Sequence, residues 1–162
     1  MNVKARFKEM IKEMYQLKPI TTYLLARAAD MISTYMNVEK YSPEGELNTE
    51  LRKLFYEWGR ENSTVGWFAI SLLPIPVFYA ISKLLDKMVH NLAGKNIETF
   101  KELYRALLYS YSTGSFYASL NNLLIYFNLP YIPAEDLKIF GATITALPFC
   151  FYAMRIYKKL IS

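Results

Sequence analysis

Four runs of largely uncharged residues, each near the length at which an α-helix crosses a lipid bilayer, constrain this chain more than any other feature. A hydrocarbon core about 30 Å thick takes about 20 residues at 1.5 Å per residue. Residues 64–85 and 137–157 meet that requirement cleanly, whereas residues 19–36 and 104–129 meet it while carrying polar side chains. The pattern predicts one all-α domain over residues 1–162, an integral membrane bundle of four transmembrane helices. The mean hydropathy of +0.08 conceals this because charged connections alternate with the apolar runs. The content of 53% hydrophobic and 16% aromatic residues is high for a soluble helical chain of 162 residues.

The net charge of +5 invites a nucleic-acid reading, which its distribution excludes. Five basic residues precede the first run (Lys4, Arg6, Lys8, Lys12, Lys18) and five follow the second (Lys83, Lys87, Lys95, Lys101, Arg105), with three more at the tail. By the positive-inside bias both termini are cytoplasmic, and the six-glutamate connection between the first two runs is external, as in a multi-pass protein of the cell membrane. One cysteine, Cys150, and one histidine, His90, exclude an internal disulfide and a His/Cys zinc cluster. Cys150 is expected as a small core hydrophobe. The first eighteen residues lack the short apolar core of a cleavable leader. Val3, Phe7, Met10, Met14 and Leu17 instead recur at helical spacing. They predict an amphipathic N-terminal helix, lying on the cytoplasmic membrane surface or docked on the protein's own cytoplasmic loop.

In the first run Tyr23, Arg27, Asp30, Thr34 and Asn37 follow one another at helical steps and share one face. A central Arg or Asp costs about 2.5–3.5 kcal/mol on insertion, while each Leu or Ile returns about 0.3–0.6 kcal/mol. Ile20, Leu24, Leu25 and Ile32 do not offset two unpaired charges. Arg27 is therefore expected to pair with Asp30, and the stripe to pack against other spans.

Asn48 is a good N-cap for a short external amphipathic helix, with Leu51, Leu54, Phe55 and Trp58 on its apolar face and Gly59 at its end. Pro74 and Pro76 free the carbonyls of Ile70 and Leu72 and are expected to kink the second span. A basic cytoplasmic loop over residues 83–101 follows, with a stop and restart at Gly94 and Asn96. In the third span Ser110, Gly114 and Ala118 form a small-residue ridge for a close neighbour. Ser112, Ser115, Ser119 and Asn122 form a polar line, with Asn121 beside it. Pro133, Glu135 and Asp136 open the fourth span, in which Gly141, Thr145 and Pro148 share a face. Counted from the outer ends of their spans, Asp30, Ser71, Asn122 and Thr143 all fall roughly 10 Å deep, predicting one polar layer in the outer half of the bilayer.

Ionisable side chains inside a membrane are functional candidates by default. Arg27, Asp30, Thr34, Glu46, Asn48, Asn121 and Asn122 suit an externally open site that binds or translocates a cation or a small polar solute, with Asp30, Glu46 and Asn122 as the ligands for a cation. A competing account makes Asp30 a structural partner of Arg27, Asn48 only a cap and the two asparagines inter-helix glue. The chain is then a non-catalytic scaffold, an assembly subunit of a membrane complex or a homo-oligomer. A lipid-modifying enzyme ranks third. Catalysis has less behind it than binding: the only base for a serine nucleophile, His90, lies in the cytoplasmic loop, and Asp30 is the sole acid within a span. The residues single out no particular cofactor, which stays unknown at this point. The lipid bilayer is the partner common to every reading, and nucleic acid is a partner in none.

The order Asp30-x-x-x-Thr34, Gly45-Glu46-x-Asn48 and then a second span resembles a family of small prokaryotic polytopic membrane proteins of unknown function, whose pattern is D-x-x-x-T followed by G-x-x-E-x-N-P. The likeness covers residues 29–85. Thr49 stands here where the family has proline, and Glu46 follows Gly45 directly. The resemblance implies a membrane location and a site at Asp30, Glu46 and Asn48, and it implies no activity.

Overall fold

Alternating apolar runs and capping residues produce helices and nothing else among the described residues, which in the computed structural model are 3–14, 17–46, 48–93 and 99–161. The order is α1 (Val3–Met14), α2 (Leu17–Tyr41), a 3-10 turn (Pro43–Gly45), α3 (Thr49–Ile70), α4 (Pro74–Ala93), α5 (Phe100–Tyr126) and α6 (Ala134–Ile161). The long helix α5 is central: α2 lies along one side of it, α6 along another, and α4 against its first half. Two stretches, Thr49–Leu92 and Lys138–Ile161, are long and apolar enough to cross a membrane.

The ends of these helices have local causes. Asn48 caps α3 as its side chain predicts, its Oδ1 accepting from the amides of Glu50 and Leu51. Leu51 and Phe55 are then buried against Val38, with Leu54 packed beside them. Gly59 breaks the α3 backbone at φ 74°, a conformation that a residue with a Cβ resists. Pro19 sits in the first turn of α2, where proline is tolerated, and α2 runs past residue 36 to Tyr41. The helix α5 stops before Leu129 because Asn128 turns left-handed at φ 55°. The Leu129 amide then reaches back to the Leu124 carbonyl and that of Asn128 to Ile125, a Schellman closure.

Several expectations change. The second apolar run is broken rather than kinked: residues 71–73 form a turn between α3 and α4. The carbonyls of Ile70 and Leu72, robbed of their donors by Pro74 and Pro76, accept from Leu73 and Ile75 instead. That diverts the Ile75 amide from Ser71, whose carbonyl takes the hydroxyl of Tyr23 on α2. The connection after α4 is shorter than expected, since α4 continues to Ala93, and His90 therefore lies in the last turn of a helix. Gly94 and Asn96 lie outside the described residues. Cys150 is exposed on α6, not in a core. On α1, Met10 packs on the bundle's aromatic cluster while Phe7 stays exposed. Val3, Met14 and Leu17 have side chains outside the described set.

Two apolar clusters sit at opposite ends of α2. One joins Ile20 and Tyr23 to Ile75, Tyr79, Phe100, Tyr104 and Leu108, with Phe100 and Tyr104 stacked at 5.9 Å. The other is the Val38, Leu51 and Phe55 group. Between them the polar stripe of α2 faces the polar line of α5, and α6 completes the third wall.

The ridge on α5 is tightest at Gly114. A Cβ built there would lie 2.6 Å from Cγ2 of Thr145, on the same α6 face as the half-buried Gly141 and Pro148. Thr145 has little freedom to yield, because its χ1 is stiff and its hydroxyl bonds the Gly141 carbonyl at 2.8 Å. Gly114→Ala should therefore destabilise the protein by about 1–3 kcal/mol despite the helix propensity it gains. Thr145→Ser, which removes only Cγ2, should restore most of that loss in the double variant. A rise in melting temperature for Gly114→Ala alone would show that the two helices are not in this contact.

Candidate functional site

The stripe on α2 can be climbed one turn at a time. Tyr23 is fully buried and bonded to the Ser71 carbonyl. One turn on, Arg27 is 5% exposed, and its Nη1 donates to Asp30 Oδ2 at 2.7 Å and to Ser115 Oγ at 3.1 Å. The Tyr111 ring packs 5.7 Å from the guanidinium carbon. This is the expected Arg27–Asp30 pairing, in which each buried charge meets its opposite. Next, Asn122 Nδ2 donates to Thr34 Oγ1 at 3.0 Å, and Asn37 Nδ2 donates to the Asn122 carbonyl at 2.9 Å. Tyr23, Arg27, Thr34, Asn37, Ser115 and Asn122 are buried, whereas the Asp30 side chain is 15% exposed and Tyr111 is 42% exposed.

The turn Pro43–Gly45 folds the connection between α2 and α3 back over this stripe and buries Glu46. The Glu46 carboxylate accepts the Asn48 amide at 2.6 Å and the Thr34 hydroxyl, while its own backbone carbonyl accepts the Arg52 guanidinium at 2.9 Å. Burial pushes the Glu46 carboxyl up to about 7. The Asp30 charge pushes it the same way, while the Asn48 amide, the Thr34 hydroxyl and Arg52 pull it down by less. Thr34 is thus shared between Asn122 and Glu46, and a continuous polar chain connects α5, α2 and the outer turn.

Arg27, Asp30, Thr34, Glu46 and Asn122 are therefore brought together, while two other expected members are not. Asn48 takes part through its backbone, since its side chain is occupied as a cap. Asn121 points to a different neighbour: its amide exchanges both hydrogen bonds with the backbone of Ile132, at 2.8 and 3.2 Å, and pins the connection between α5 and α6. The single polar layer is also corrected. Ser71 lies level with Tyr23, about two turns from Asp30 along α2, and Thr143 is exposed with its hydroxyl returned to its own helix at Ile139. Counting residues from span ends misplaced Ser71 because Thr64, taken as the outer end of that run, lies inside α3, which is helical from Thr49.

Asp30 and Glu46 are two carboxylates, but the positive charge beside Asp30 is a guanidinium. Among the described residues no three His, Cys, Asp or Glu side chains gather as a metal site requires. The arrangement offers charge pairing and hydrogen bonds. It contains no histidine, and Ser115 is engaged with Arg27 rather than with a base.

A cavity of about 230 Å³ opens beside the pair, lined by Arg27, Asp30, Tyr111, Gly114, Ser115, Ala118 and Thr145. Its walls come from α2, α5 and α6. The ridge read from sequence as packing surface thus also makes room next to the buried charges.

Three residues that carry structure were missed in the sequence. Asp86 reaches from α4 to the start of α5, where its Oδ1 accepts from the Thr99 amide, the Thr99 hydroxyl and the Phe100 amide at 2.6–2.8 Å. Glu102 is buried and meets Lys159 at 3.2 Å and Arg155 at 3.6 Å, tying the basic end of α6 to α5. Lys40 donates to the Tyr126 carbonyl at the end of α5, between the rings of Tyr41 and Tyr126. An acidic residue in a basic run was the available signal for the first two. No family model, curated protein or solved structure matches this chain.

Proposed function

We propose that this chain is a small multi-pass protein of the cell membrane, with four spans and both termini cytoplasmic, whose site around Arg27 and Asp30 binds or translocates a small polar solute from the external side. The carrying observation is a buried Arg27–Asp30 pair that lines a cavity while Arg27 Nε has no partner among the described residues. Charges in such surroundings are costly, and a purely structural pair would be expected to close over them. The outward surfaces support the membrane reading: in the most apolar window of α6 only 6% of residues are buried, and Ile139, Leu147, Phe151 and Met154 are exposed. A soluble core helix of that composition would be mostly covered. The resemblance to the D-x-x-x-T family agrees, since Asp30, Thr34 and Glu46 meet in space. The presence of Arg27 favours a polar solute over a bare cation.

The scaffold reading draws on the same α6 surface, which a protein partner would cover as well as lipid. The two separate at Asp30→Asn, which keeps an oxygen for Arg27 and removes the charge. In the purified protein, a panel of amino acids, sugars and alkali or alkaline-earth salts should contain a solute that raises the melting temperature of the wild type. Asp30→Asn should lose that shift while still unfolding cooperatively. A shift of the same size in the variant would remove Asp30 from the site.

A further inference from the structure

Arg27 and Asp30 share a single hydrogen bond, and the capacity that remains on each defines a ligand. Both bonds from the guanidinium leave through Nη1, to Asp30 and Ser115. Nε is buried with no partner, so the Nε–Nη2 edge, a planar two-donor fork, is unused among the described residues. Asp30 receives Arg27 on Oδ2 and has no bond on Oδ1 among the same residues. Both side chains line the 230 Å³ cavity. We propose that this cavity is a receptor for a free α-amino acid with a small apolar side chain, its carboxylate on the unpaired edge of Arg27 and its ammonium on the oxygen of Asp30 that Arg27 leaves unbonded.

Charge balance selects this class. The pair is neutral, and a ligand of net charge would add an uncompensated ion to a weakly polar interior, at several kcal/mol. A zwitterion adds one charge of each sign next to its complement. A carboxylate matches the guanidinium fork with two parallel bonds, and an ammonium matches a carboxylate oxygen. Size agrees: an apolar cavity of about 150 Å³ accommodates benzene, so 230 Å³ takes roughly ten non-hydrogen atoms. The rest of the wall is the Tyr111 ring with Gly114, Ala118 and Thr145, which suits a short aliphatic side chain and has no third charge to hold a longer polar one.

This inference rests on the polar-solute reading above, and one set of titrations separates the two. The full chain, in nanodiscs, is titrated with L-valine, with isobutylamine (valine without its carboxylate) and with isovalerate (valine without its ammonium). Valine should bind and raise the melting temperature, and each half-analogue should bind at least tenfold more weakly. Ala118→Leu, which fills the cavity and leaves both charges in place, should abolish valine binding while the variant still unfolds cooperatively. Isovalerate or isobutylamine binding as tightly as valine would overturn the zwitterion assignment, as would valine binding unchanged in Ala118→Leu. Protection by an uncharged sugar but not by valine would overturn it and leave the polar-solute reading standing. No response to any solute would end both.

Discussion

Replacing Arg27 with methionine should lower the unfolding free energy by about 3–5 kcal/mol, the cost typical of removing one partner of a buried ion pair. The Asp30 carboxylate would remain largely buried with neither its guanidinium nor any other cation bonded to it. Ser115 would lose its donor, and Tyr111 the cation packed on its ring. Asp30→Leu alone should cost a similar amount, because it strands the buried guanidinium. The double variant Arg27→Met/Asp30→Leu should recover most of the loss, since two apolar side chains of similar volume leave no unpaired charge in the interior. Denaturation of the three variants in one detergent gives the coupling energy directly. If each single variant and the double lose the same small amount, the pair is not buried in the folded protein. If the double restores folding but fails to take up any solute that the wild type binds, then the pair is kept for binding and not for stability.

The second large effect is a pH dependence located at Glu46. Its carboxyl lies at about 7 in the folded protein against an ordinary 4.5, so the folded state holds the proton more tightly than the unfolded one. Protons are then released on unfolding between these values, and stability falls as pH rises through that window. Below 4.5 both states are protonated and nothing is lost; above 7 the full penalty stands, on the order of 3 kcal/mol at about 1.4 kcal/mol per pH unit of separation. The groups facing Glu46 fix the sign. Burial and Asp30 disfavour the anion, and the Asn48 amide, Thr34 and Arg52 oppose them without prevailing. Protection of the Glu46 and Asn48 amides from exchange should therefore weaken between pH 5 and pH 8, and the melting temperature should fall with it. Glu46→Gln, neutral throughout, should flatten both profiles. A wild-type profile already flat over that range would place the outer turn away from the bundle.

Much of the site was legible because helix periodicity is short-range. The steps between Tyr23, Arg27, Asp30, Thr34 and Asn37 place them on one face whatever surrounds the helix, and the cost of an unpaired buried charge then favours the 2.7 Å pair. The same reasoning gave the Asn48 cap and the close approach at Gly114. Asn121 and Asn122 show where it stops. Adjacent on α5, they point about 100° apart, and nothing local tells which one meets Thr34 and which one pins Ile132. The break after α3 shows the same limit. Two prolines dictate that helical bonds are lost, but whether the chain bends or breaks depends on a donor elsewhere, here the Tyr23 hydroxyl.

By itself, then, the sequence determined an all-helical chain with a one-sided polar stripe and the identity of its charged pair, because propensity, periodicity and desolvation cost act over a few residues. Only the tertiary structure decided that Glu46 folds back onto Thr34, that α6 rides against Gly114, and that a cavity remains where α2, α5 and α6 meet beside Arg27. Those outcomes depend on which faces of distant helices come together and on how fully their side chains fill the space between them. That is a property of packing in three dimensions, which no spacing along the chain encodes.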